Sequence, residues 1–138
     1  MKLKYLMKNS IIIILAALVV LSVSSGCGKL KKPTTANITV VCSPLPGKTV
    51  DVSNLKAELH GTATYDNLKY HFDVKGTAAS STGTMKEIAP GRYFLVVWKD
   101  LDASSTFSKD DIFGFYPTAL DLAAGDEKNL TVQMYIVE

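Results

Sequence analysis

The chain has 138 residues, 47% of them hydrophobic, and a formal net charge of +2. Six of its fifteen basic residues precede Pro33 and all thirteen acidic residues follow it, so the part after Pro33 carries nine positive and thirteen negative charges, a net of −4. No basic stripe interleaved with aromatics runs through that part, which leaves nucleic-acid binding without support.

Lys2, Lys4 and Lys8 open the chain, an apolar run follows from Ile11 to Leu21, and small residues from Ser22 to Gly26 lead to Cys27. That order is the layout of a secretory signal peptide. The apolar run is too short for a bilayer core of about 30 Å, which takes roughly 20 helical residues to cross. Ser24-Ser25-Gly26-Cys27 resembles the lipobox of bacterial lipoproteins, with Ser24 where that family usually carries Leu. The resemblance implies that residues 1–26 are a signal peptide that is removed. It also implies that Cys27 is lipidated, with palmitate among its acyl chains, so that the exported protein is held at the membrane of the cell envelope. Gly28 in place of Asp after the cysteine implies the outer membrane where the host is Gram-negative. Residues 27–35 read as a polar tether, and Lys29, Lys31 and Lys32 suit an anionic headgroup layer at about 1 kcal/mol each. The same lysines suit a plain solvated spacer equally well.

The residues from Cys27 onward suffice for one domain with one core. Ile38, Val40 and Cys42 share one face of a strand, and a lone Cys on such a face is a small buried hydrophobe. With Cys27 acylated, Cys42 has no partner for a disulfide. Leu55 to Thr62 alternates with odd positions inward, and Leu68 to Lys75 with even positions inward. A two-residue turn at Asp66-Asn67 joins them into a hairpin whose partner numbers sum to 133, with His60 opposite Asp73 and His71 opposite Thr62. Both histidines then lie on polar faces, exposed or half-exposed. A turn at Tyr65-Asp66 would instead face His60 with His71, two ligands toward a transition-metal site.

Gly76 to Thr84 is small and polar, a weak edge strand or a loop. Ala89-Pro90-Gly91 is a tight turn into Arg92 to Lys99, which is apolar on both faces and therefore central or covered. Leu120 to Ala124 fits a short helix or a strand. Leu130, Val132, Met134 and Ile136 alternate in a last strand. About seven short strands with regular turn signals predict an all-β fold, a single antiparallel β-sandwich over residues 36–138. Its core should include Ile38, Val40, Leu59, Tyr70, Phe72, Val74, Leu95, Val97, Val132 and Met134.

Residues 100–111 carry the one constellation with evident chemistry. Asp100, Asp102, Ser104, Ser108 and Asp111 stand at positions 1, 3, 5, 9 and 12 of a twelve-residue calcium loop, with the carbonyl of Thr106 at position 7. Alternate oxygens in such a loop point inward around a hard cation. Phe107 would anchor it apolarly and Asp110 should point outward. Position 6 is Ser105 where a Gly usually makes the sharp turn, and position 12 is Asp rather than a longer Glu.

Residues 83–116 resemble the transthyretin-like, or prealbumin-like, β-sandwich modules of bacterial lipoproteins and carboxypeptidase regulatory domains. The likeness rests on Pro90-Gly91, on Tyr93, Leu95 and Val97, on Asp100-Leu101-Asp102, and on Asp111, Gly114 and Tyr116. It implies a non-enzymatic binding or structural module at the envelope, with a protein or glycan partner. Catalytic residues are not identifiable in the sequence. The alternative is an envelope hydrolase that uses the acidic loop with His60 or His71. Trp98, Phe94 or Tyr116 gathered on an exposed face would favour the binding module.

Overall fold

The computed structural model describes residues 31–138. The expected signal segment 1–26, the expected lipidation site Cys27 and residues 28–30 of the expected tether lie outside them. Eight strands and no helix form among the described residues: β1 (Ala36–Pro44), β2 (Leu55–His60), β3 (Leu68–Gly76), β4 (Ser81–Ile88), β5 (Gly91–Lys99), β6 (Ile112–Phe115), β7 (Leu120–Leu122) and β8 (Glu127–Ile136). The all-β expectation holds. Their ladders run β2-β3-β4-β1-β8-β6-β5 and return to β2 through a β2–β5 pairing. Seven strands thus make one closed barrel rather than two clearly separate sheets. β7 takes up β5 at Gly91–Tyr93, where β6, paired with Val96–Lys99, has left it.

Period-2 alternation is what fills the barrel. Ile38, Val40 and Cys42 from β1, Leu55, Ala57 and Leu59 from β2, and Val132 and Met134 from β8 are each at most 2% exposed. Nine of the ten expected core residues are buried; Tyr70 is half-buried and packs on the core edge. There the Ala89 N–H donates to the Tyr70 hydroxyl at 3.1 Å and the Tyr93 hydroxyl donates to the Ala89 carbonyl at 2.9 Å. Both polar groups of the β4–β5 turn are satisfied by the two rings.

Four expectations are corrected. First, the sheet is not wholly antiparallel: β1 lies parallel to β8, with Val40 beside Leu130 and Cys42 beside Val132. Alternation tells which face of a strand is apolar but carries no direction. Second, the β2–β3 partners sum to 129, as in Glu58 opposite His71 and Leu59 opposite Tyr70. The connection runs from Gly61 to Asn67 rather than through a two-residue turn. Its Asp66 carboxylate accepts the hydroxyls of both Thr62 and Thr64, and Gly61 N–H bonds the Asn67 carbonyl at 2.8 Å. The His60–His71 pairing therefore does not arise, since His60 stands opposite Leu68. Third, His60 is 5% exposed rather than open to solvent. Fourth, of the small residues after Gly76, Thr77 to Ser80 form a loop, as one of the two readings had it, but Ser81 to Thr84 belong to an interior strand. β4 sits between β3 and β1, and a Cβ on Gly83 would lie 2.5 Å from the Asp73 carbonyl oxygen. Small side chains there let two backbones meet. At 120–122 the ambiguous segment is a strand.

Candidate functional site

β5 ends at Lys99 and β6 begins at Ile112, and these two residues pair across the ladder. The ends of the intervening loop are therefore clamped together. Asp111 is 1% exposed; one oxygen accepts the Leu101 N–H at 2.9 Å and the other accepts the Ser108 N–H at 2.8 Å and hydroxyl at 3.1 Å. Asp100 accepts the N–H groups of Ser104 at 3.2 Å and Ser105 at 2.7 Å. Asp102 accepts the Ser104 N–H at 2.9 Å and the Ser108 hydroxyl at 3.2 Å. One carboxylate oxygen from each of Asp100, Asp102 and Asp111 lies within 4.8 Å of the others. The Ser104 hydroxyl donates to the Thr106 carbonyl at 2.9 Å, so positions 5 and 7 also meet. Asp110 is exposed, as its position implied, and its N–H is held by the Val137 carbonyl.

The chain bends to make this cluster. Ala103, Ser105 and Asp110 all take positive φ, at 58°, 61° and 75°. Ser105 thus adopts the left-handed turn that position 6 requires despite carrying a Cβ. Phe107 is half exposed, yet its ring lies 4.6 Å from that of Phe113, so the apolar anchor is made on the outside of β6.

Among the described residues no Lys or Arg stands within ion-pair distance of the three carboxylates; Lys99, at the loop's root, is bonded to Asp51 at 3.0 Å. Hydrogen bonding with Ser104 and then with the Asp100 carboxyl holds Asp102 below the ordinary carboxylate range, with a smaller share from Ser108. The Leu101 N–H does the same for Asp111, against burial, helped by Ser108 and opposed by the charge of Asp102. The loop therefore gathers three carboxylates with no basic side chain paired to them among the described residues. Oxygen atoms alone make up the set, and each carboxylate oxygen has two lone pairs, so the donors fit a hard cation such as Ca²⁺.

A second feature adjoins the loop. On the outer face of the barrel the register aligns Lys56 of β2, Trp98 of β5, Phe113 of β6 and Tyr135 of β8 in one row. Glu58, His60 and Val96 share that face. The 61–67 connection brings Tyr65 over it and the acidic loop brings Ser105 and Phe107, leaving a cleft of about 450 Å³ between them. The His60 Nε2 meets a Glu58 carboxylate oxygen at 3.1 Å, and its Nδ1 has no partner. Of the aromatics the sequence singled out, Trp98 borders this cleft and Phe94 is half-buried on the same face, whereas Tyr116 packs against the core. Phe107, Phe113 and Tyr65 were not expected there. The signal that could have found the face is β5 itself, apolar on both sides.

His71 projects from β3 into solvent. Cys42 is fully buried, and burial pushes its thiol up to about 12, so it acts as packing rather than as a nucleophile. No protein-family model, curated protein or solved structure matches the chain.

Proposed function

We propose that the chain is an exported lipoprotein held in the cell envelope through Cys27. In this reading its β-domain is a non-enzymatic binding module whose 100–111 loop holds one Ca²⁺. The observation that carries the metal is the convergence of Asp100, Asp102 and Asp111 within 4.8 Å with no basic side chain paired to them. The ligands would be those three carboxylates, the hydroxyls of Ser104 and Ser108, and the Thr106 carbonyl. What the ion supplies is charge neutralisation within a filled oxygen shell. The chain's own residues do the rest: the Lys99–Ile112 pair fixes the loop's ends, and Ser105 and Phe107 are set as one wall of the aromatic cleft. A protein or glycan partner suits an aromatic face of this kind. The transthyretin-like sandwich stays within the proposal because the β3–β4 seam rests on two residue pairs, Lys75 with Thr82 and Gly76 with Ser81.

Thermal unfolding of the full chain in non-ionic detergent, in calcium and then in chelator, tests the metal. A cation at a hundredfold excess over its Kd adds about 2.7 kcal/mol, which moves the midpoint of a domain this size by roughly 10 °C. Equal midpoints, with Asp100→Ala as stable in calcium as its parent, would reduce the loop to an acidic surface. The anchor is tested by palmitate labelling in the host, which Cys27→Ser should abolish.

A further inference from the structure

We infer that the cleft on the outer face of β2, β5 and β6 binds an alkylated ammonium ion. The inference deepens the binding-module reading and rests on it, but does not depend on the calcium. Val96 and His60 point away from the core yet are 6% and 5% exposed, because two connections fold over them. Those connections do not fill the space they cover. A volume of about 450 Å³ is within the range of small-molecule sites.

The walls and floor select the charge. Tyr65, Trp98, Phe107 and Phe113 border the cleft, and aromatic faces attract cations. Phe107 is 51% exposed and Trp98 half-buried, so neither ring is used up by the core. The chain demonstrates the affinity itself: the Lys56 ammonium lies 5.8 Å from the centre of the Trp98 ring. Beneath the rings, the Glu58 carboxylate is 17% exposed, with His60 as the one basic group in ion-pair distance among the described residues. When His60 donates from Nε2 to Glu58, its Nδ1 is left as a buried acceptor with nothing to accept. Carboxylate, ring faces and lone pair are all electron-rich. The adjoining groove carries Asp73 and Asp100 beside Lys56 and Lys99, the last bonded to Asp51 and Asp73 paired with Lys75, so it adds no net charge of its own and the selection rests on the cleft. An anionic ligand would be opposed by Glu58, and a neutral sugar would draw nothing from that charge. An organic cation answers both the charge and the rings.

Trp98 is the single tryptophan, so its fluorescence reports the site. Choline is titrated into the full chain in non-ionic detergent and calcium, with a calorimetric titration in parallel in case the indole is silent. Saturable binding is expected. The uncharged isostere 3,3-dimethylbutan-1-ol should bind roughly tenfold more weakly, as should choline to Glu58→Gln, which keeps the side-chain shape. Phe107→Ala, in an exposed loop, should weaken choline without unfolding the barrel. Phosphocholine separates a free ammonium ion from a lipid headgroup: binding tighter than choline's assigns the headgroup, and weaker or equal binding assigns the ammonium ion alone. No saturable signal by either method, or equal affinity for the uncharged isostere, overturns the inference; so does tighter binding of N-acetylglucosamine, which would make the cleft a sugar site. A calcium-dependent midpoint without choline binding removes this site and leaves the metal. Choline binding without a calcium effect does the reverse.

Discussion

Ser105 is one of the non-glycine residues that carry backbone tension. Its φ of 61° places a Cβ in the left-handed region, which costs an L-residue roughly 1–2 kcal/mol, while its N–H is needed by Asp100. Glycine keeps the N–H and removes the Cβ, at an entropic cost of about 0.5–1 kcal/mol. Ser105→Gly should therefore raise the unfolding midpoint by a few degrees in chelator, where no cation contributes; a lower midpoint would mean that the serine side chain is itself holding the turn. The oxygen spacing of this loop was legible in the sequence because the ligand pattern is local. The burial of His60 was not. Its outward direction follows from the parity of β2, but what covers it comes from residues 61–67 and 100–111, and no local pattern announces where a loop will lie.

At the scale of the strand, Gly114 decides how closely β6 approaches β8. A Cβ there would lie 2.6 Å from both the Gln133 carbonyl oxygen and the Met134 sulfur, and 2.8 Å from a Val132 methyl. Gly114→Ala should destabilise the barrel by about 1–3 kcal/mol, the usual range for overpacking. Denaturant unfolding would show it as a lower midpoint with an unchanged slope, and an unaltered midpoint would mean that β6 yields without cost. β1, β2, β3 and β8 were legible from alternation, and β5 from a run apolar on both faces after the Ala89-Pro90-Gly91 turn. β4 was legible only in part, since the small residues that admit its neighbours' backbones read as a weak edge strand or a loop, and the β2–β3 register was lost to a seven-residue connection whose bonds run through Asp66.

For the whole molecule, stability should fall in acid. Asp51 is drawn from 3.8 to about 2, first by the Ser53 hydroxyl and N–H and then by Lys99. Asp66 is lowered by Thr62 and Thr64, and Asp102 and Asp111 by the loop's own donors. A carboxyl group whose folded pKa is depressed contributes stability above its unfolded pKa and loses it as the pH falls through the folded value. In chelator the midpoint should be flat above about pH 5 and drop between roughly pH 4 and pH 2. A midpoint that rises on acidification would contradict all four assignments. On the calcium reading proposed above, the drop in calcium should be steeper, because protonating Asp102 and Asp111 would also expel the ion.

The parallel β1–β8 ladder has a mechanical consequence. Eight residues of β1, Asn37 to Pro44, lie alongside Glu127 to Met134, and β4 flanks the other side. A load that reaches Ala36 from the residues before it pulls along the strand axis, so the bonds on both flanks resist in shear, all together, rather than peeling one at a time. A domain tethered at that end and gripping a ligand with its outer face would pass tension through its strongest direction. Under such a pull, rupture should come late and at once.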